Sequence, residues 1–212
     1  MIPVLSTLGI KPPVQDFFAP WLKVTAKEEI GLVYPGQEKS PVWEIISPYG
    51  SLVPTTSGIW CAGANYPLMA RHNFLFYSAT EALCFCSMNT HWLARPGSAV
   101  FSALGLLPST AQIGTLRLKF PHARLHVVFG SDLPGRVMDC KAALWSKEKN
   151  GHFRVQQDGV AIRYGGKTFL IPEPKFSLHR FEQQSGLRAG LRAHKPKAGF
   201  SSFLEMIRAG LL

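Results

Sequence analysis

Twice along this chain a short run of aromatic and β-branched residues passes directly into a helix start, and that recurrence limits the folds open to it. The first passage is Phe74-Leu75-Phe76-Tyr77, followed by Ser78 with Glu81 three residues on, the spacing of a capping box, and then by Ala82-Leu83-Cys84-Phe85-Cys86. The second is Arg124-Leu125-His126-Val127-Val128-Phe129, which ends in Gly130-Ser131-Asp132-Leu133-Pro134-Gly135-Arg136 and leads into a helical stretch over 137–147. Between them the pattern predicts a strand and turn over 98–105 and a helix over 109–120. Alternating buried strands and helices predict βαβ units on a parallel sheet. In such sheets chemistry gathers at the carboxyl ends of the strands, here near Tyr77 and near Gly130 to Asp132.

The rest of the chain is organised around this centre. Residues 1–70 carry Pro12-Pro13, Pro35-Gly36, Pro48-Tyr49-Gly50 and Pro54 between short apolar runs, which predicts an irregular, strand-poor N-terminal cap. An α/β domain is expected over 71–172, closing with β-rich runs at 153–155, 159–164 and 168–171; Gly165-Gly166-Lys167 marks a hairpin. Residues 173–212 form a basic C-terminal extension with a helix expected over 201–209.

With 46% hydrophobic and 17% charged residues, the 212-residue chain is too apolar for disorder and long enough for one domain with appendages. Its longest apolar stretches, such as 100–107, fall short of the roughly 20 residues of a membrane-spanning helix. The first residues lack a basic region followed by an apolar one, so a cytoplasmic protein is expected. Cys61, Cys84, Cys86 and Cys140 form no C-x-x-C pair and read as small core residues. The seven histidines show no metal-ligand spacing; His122 and His126 straddle the entry to a strand and need not share a face.

Charge narrows the function classes. The net charge of +10 favours polyanions such as nucleic acid or an acidic partner protein. From residue 175 onward seven Lys or Arg face only Glu182 and Glu205. No Gly-Lys-Ser/Thr ending supports a nucleotide P-loop, and no G-x-S-x-G supports a serine nucleophile.

The two strand-to-helix passages together resemble the Toprim fold of primases, topoisomerases and OLD-family nucleases, especially the Toprim-like proteins of bacterial mobile elements. In that family a strand ends in Glu before a helix, and here the matching run is Phe76-Tyr77-Ser78-Ala79-Thr80-Glu81-Ala82-Leu83, with Tyr77 on the Glu position. The family's Asp-x-Asp with a following Gly-Arg falls on Gly130-Ser131-Asp132 and Gly135-Arg136, so only Asp132 keeps its carboxylate. Ser102-Ala103-Leu104-Gly105 resembles the family's Ser-x-x-Gly turn, and 199–204 stands where a closing motif is expected but lacks acids. The resemblance implies a Toprim-like parallel sheet flanked by helices.

It also implies Mg²⁺-assisted phosphoryl transfer for intact family members, in which carboxylates hold the hard ion and a Glu manages the proton. Tyr77 supplies no charge at neutral pH, because a phenol titrates near pH 10. The expectation is a non-catalytic, degenerate module that binds nucleic acid or a partner subunit, in the setting of a mobile-element or phage-defence assembly, with no cofactor. Phosphate contacts are expected from Arg136, Lys141, Arg188, Arg192, Lys195 and Lys197; Arg188 and Arg192 would share a face if their segment is helical. Arg136 could instead pair with Asp132. The alternative is a residual Mg²⁺-dependent nuclease or primase-like enzyme using Glu81 and Asp132, with Asp132 and Asp139 as metal ligands two helical turns apart. A structural subunit using Phe17, Phe18, Trp21, Trp43 and Trp60 as an interface is the third possibility.

Overall fold

In the computed structural model, residues 2–25, 29–36, 40–47, 50–63, 65–95 and 97–211 are described. The chain opens with α1 (Pro3–Thr7) and α2 (Pro12–Phe18), each with proline in its first turn, where the missing N–H has no helical partner to lose. Strands β1 (Lys23–Val24), β2 (Ile30–Tyr34), β3 (Val42–Ser47) and β4 (Gly50–Leu52) follow as an antiparallel sheet in chain order. The lead-in is therefore not strand-poor, and the expectation of an irregular cap is corrected. Its Pro and Gly residues bound short strands rather than exclude them, as Pro35-Gly36 does directly after β2. The turn expected at Pro48-Tyr49 lies outside the described residues.

The centre of the molecule comprises β5 (Trp60–Ala62), β6 (His72–Phe76), α3 (Ala79–Met88), β7 (Ala99–Ala103), α4 (Thr110–Lys119), β8 (Arg124–Val127) and α5 (Leu133–Trp145). A three-stranded antiparallel sheet, β9 (His152–Gln156), β10 (Gly159–Tyr164) and β11 (Lys167–Ile171), comes next. The chain ends with α6 (Leu178–Ser185), β12 (Arg192–Ala193) and α7 (Phe203–Arg208). The central sheet has the order β12-β8-β6-β7-β5, with β6, β7, β8 and β12 parallel and β5 antiparallel to β7. The molecule is thus mixed α/β, with the parallel strands that the alternation predicted.

Each face of that sheet has its own core, because strand residues alternate between faces. Phe74, Phe76 and Phe101 point toward α3 and α7, whereas Leu75, Val100 and Val127 point toward α4, α5 and α6. Val4, Leu5, Val14 and Phe18 of the first two helices, and Ile30 and Leu32 of β2, belong to the first core; the Phe18 ring meets Phe101 at 5.4 Å. The N-terminal 62 residues therefore complete one layer of the fold.

Local signals explain most of the boundaries. Ser78, Ser109 and Asp132 accept the N–H of Glu81, Gln112 and Gly135 and so start α3, α4 and α5. α5 begins at Leu133, earlier than expected, since Pro134 suits a first helical turn. At the β10–β11 hairpin Gly165 and Gly166 have φ of 58° and 75°, the backbone a two-residue type I′ turn demands. The condition under which Arg188 and Arg192 would share a helix face is not met: Gly186 ends α6 in the left-handed region at φ 72°, Gly190 adopts φ 75°, and Arg192 lies on β12. α6 itself was not anticipated; Leu178 and Phe181 alone anchor it, and the rest of its surface is polar.

Candidate functional site

Because β6 and β8 are parallel neighbours, their carboxyl ends open side by side and bring Tyr77 against Phe129, with ring centroids 4.8 Å apart. The Tyr77 hydroxyl donates to the Pro134 carbonyl at 3.4 Å. Burial, reinforced by the carboxylates of Asp132 and Asp139, pushes the phenol pKa above its ordinary value, so Tyr77 stays protonated. Asp132 is exposed, and its Oδ1 caps α5 by accepting from Gly135 N at 3.0 Å.

Asp139 faces the same strand ends from α5 and is 1% exposed. Lys195 reaches it from the segment after β12. The Lys195 ammonium lies 2.6 Å from Asp139 Oδ2 and donates to the carbonyls of Phe129 at 2.5 Å and Gly130 at 2.6 Å. Asp139 Oδ1 is buried with no hydrogen-bond partner. Desolvation outweighs the attraction of Lys195 and raises the Asp139 carboxyl to about 7, with Asp132 adding to the rise.

The other anticipated residues scatter. Glu81 turns away from the strand ends, and its two oxygens accept the N–H groups of Phe203 and Leu204 at 3.1 Å each, capping α7. Burial raises its pKa while those two N–H groups oppose the rise. Arg136 does not pair with Asp132; it donates to the carbonyls of Glu173 at 2.8 Å and Phe176 at 3.0 Å and lies 3.7 Å from the Glu173 carboxylate. Lys141 is half-buried on α5. Arg188, Arg192 and Lys197 are exposed, and among the described residues none of the three forms an ion pair.

Two clusters had not been foreseen. Glu44 of β3 is fully buried, and its carboxylate accepts from Tyr34 Oη at 2.5 Å, Ser51 Oγ at 2.9 Å, the Thr80 hydroxyl, and the N–H groups of Ala79 and Thr80 at 2.8 and 3.0 Å. It thereby ties the N-terminal sheet to the start of α3. Strand alternation, which places Glu44 on the same face as Ile46, was a legible signal for this. The second cluster is a row of imidazoles across β6, β8 and the end of β12. His72 Nδ1 lies 3.0 Å from His126 Nε2, and His126 Nδ1 lies 2.9 Å from His194 Nε2. Burial, with the neighbouring histidines and Arg124 and Arg192, lowers His126 to about 3, and burial with Arg192 and His91 lowers His194 to about 4. No sequence spacing could reveal this row, since it depends on which strands are neighbours.

The strand ends do not suit Mg²⁺. Tyr77 and Gly130 bring no carboxylate, Asp132 is engaged as a helix cap, and the Asp139 carboxylate is paired with an ammonium. Among the described residues no group of three or more His, Cys, Asp or Glu is placed to hold a metal, and His122 is exposed while His126 is buried. No described helix is long and apolar enough to cross a membrane. No family model, no curated protein and no solved structure matches the chain.

Proposed function

We propose that this chain is a non-catalytic, Toprim-like module that binds nucleic acid through its basic C-terminal surface, as part of an assembly of the mobile-element or phage-defence kind. The seat of Lys195 carries this conclusion. Where a metal-dependent phosphoryl-transfer enzyme would gather acids at the strand ends, this chain supplies its own cation, held by Asp139 and by the Phe129 and Gly130 carbonyls. With Lys195 seated there, the one buried carboxylate at the strand ends is paired with an ammonium rather than grouped with other acids around a metal. Charge supports the nucleic-acid half: the protein carries +10, and Arg188, Arg192 and Lys197, on and beside β12, are exposed and form no ion pair among the described residues.

Anisotropy titrations of labelled single- and double-stranded DNA across a salt series test the binding. Log affinity falls linearly with log salt, with a slope of about −0.9 per phosphate contact on duplex and about −0.7 on single strands. Replacing Arg188, Arg192 and Lys197 by Ala makes the slope shallower by about two to three units and weakens all sequences alike. Unchanged affinity at every salt concentration moves the partner to another protein. Calorimetry with Mg²⁺ or Mn²⁺ tests the other half: no saturable binding is expected below millimolar concentration, and binding that vanishes in Asp132→Ala overturns the non-catalytic assignment.

A further inference from the structure

A cavity of about 680 Å³ opens at the other edge of the central sheet, where the N-terminal sheet and the segment after α2 meet β5 and α4. Its volume falls within the roughly 300–1,000 Å³ of small-ligand sites. Trp21, Leu22, Val33 and Ile59 line its apolar side, and Lys23 and Lys119 stand on it as the cationic residues. No Asp or Glu lies among the described lining residues.

The walls are built rather than loose. On α4 the fully buried Gln112 donates through Nε2 to the Gly58 and Leu104 carbonyls at 2.8 Å each, which fixes the helix against the loop that forms the floor. The Trp60 indole N–H donates to the Trp21 carbonyl at 3.4 Å, which holds the Trp21 backbone in place. The ordering cost of such a cavity is met before any ligand arrives.

We propose that this cleft binds a nucleoside monophosphate, either free or as one residue of a single strand. Trp21 provides a face for a planar base, since stacking is tolerant of base identity. Lys23 and Lys119 are both exposed and form no ion pair among the described residues; their ammonium groups rest over the Trp43 and Phe120 rings at 5.3 and 5.5 Å and must swing from them to meet a phosphate in the cleft. This goes beyond the electrostatic surface of the C-terminal segment and does not depend on it. β5 and β12 are opposite edges of the five-stranded sheet, about 19 Å apart at normal strand spacing.

Calorimetric titration with adenosine 5′-monophosphate, adenosine and a short oligodeoxyadenylate decides the matter. The monophosphate binds saturably and adenosine at least about tenfold more weakly. The Lys23→Ala/Lys119→Ala double variant, both substitutions at exposed positions, weakens the monophosphate at least about tenfold, and Thr115→Trp, which fills the cleft from α4, abolishes binding. Competition between monophosphate and oligonucleotide identifies the natural source as a strand, and its absence identifies a free nucleotide. If the monophosphate does not bind, if adenosine binds as well, or if the double variant, with unchanged thermal unfolding, binds as the parent does, the assignment is overturned. The Arg188, Arg192 and Lys197 variant separates the two sites: loss of oligonucleotide binding with the monophosphate retained indicts only the C-terminal surface.

Discussion

Two carboxylates of this protein, Glu44 and Glu81, serve as helix caps for elements far from them in the chain. Glu44 and Glu81 each place an anion against the first N–H groups of a helix, where the partial positive charge of the terminus favours it. Glu44 has the larger consequence, because Tyr34, Ser51 and Thr80 hydroxyls also depend on it. Glu44→Ala leaves these buried donors without their acceptor, and hydrogen bonds to charged groups are worth about 1.5–3 kcal/mol each. A loss of more than about 3 kcal/mol in urea unfolding is expected. A cost under about 1 kcal/mol would show that water replaces the carboxylate and that Glu44 does not bind the N-terminal sheet to α3.

At the scale of elements, the short edge strand β12 is held by more than two backbone pairs. Arg192 and Ala193 pair in parallel with His126 and Val127, while His194 closes the imidazole row that begins at His72. In the neutral row each ring can donate one hydrogen bond and accept one. Among the described residues no acid faces an added proton here: Arg124, Arg192, Arg95 and His91 face these rings, and Trp92, Phe74 and Phe85 cover them. Folded pKa values near 3 and 4 lie below the unfolded value near 6.5, so the stability from this row is complete above pH 6.5 and is lost as pH falls toward 3. Asp139 acts in the opposite sense. Its folded pKa near 7 exceeds its unfolded value, so its ionisation reduces stability as pH rises from about 4 to 7. Denaturant titrations at pH 7 and pH 4.5 should show lower stability at the acid pH, because two histidines outweigh one carboxyl. His126→Phe should flatten or invert that difference, and an unaltered profile would remove the row from the protein's pH response.

Over the whole molecule the two cores share one sheet, and the N-terminal 62 residues supply much of the first. Unfolding is therefore expected as one cooperative transition, with fluorescence and circular dichroism coinciding. A chain beginning at residue 58 exposes Phe74, Phe76, Phe85 and Phe101 and should be aggregation-prone or molten. Two separated transitions, or a shortened chain with native-like thermal unfolding, would mean that the N-terminal part folds on its own beside an independent α/β domain.

Local chemistry made much of this legible in advance. Ser78, Ser109 and Asp132 are caps wherever the chain goes, paired glycines turn hairpins, and continuous apolar runs mark β6, β7 and β8 as buried. Each signal acts within a few residues, so the sequence by itself determined the alternation of strands and helices and the two strand ends where Tyr77 and Asp132 lie. The strands of the N-terminal sheet were less visible because Pro and Gly crowd them and because β1 and β4 are only two and three residues long. Only the tertiary structure decided the partners of the polar groups. Glu44 meets residues 35 and 36 positions away, Glu81 reaches 122 positions to α7, and Lys195 returns 65 and 66 positions to the carbonyls of Gly130 and Phe129. A charge carries no mark of its partner along the chain. Which oxygen an ammonium neutralises, or which helix end a carboxylate caps, is settled by the order of strands in the sheet and by the cost of burying either group alone.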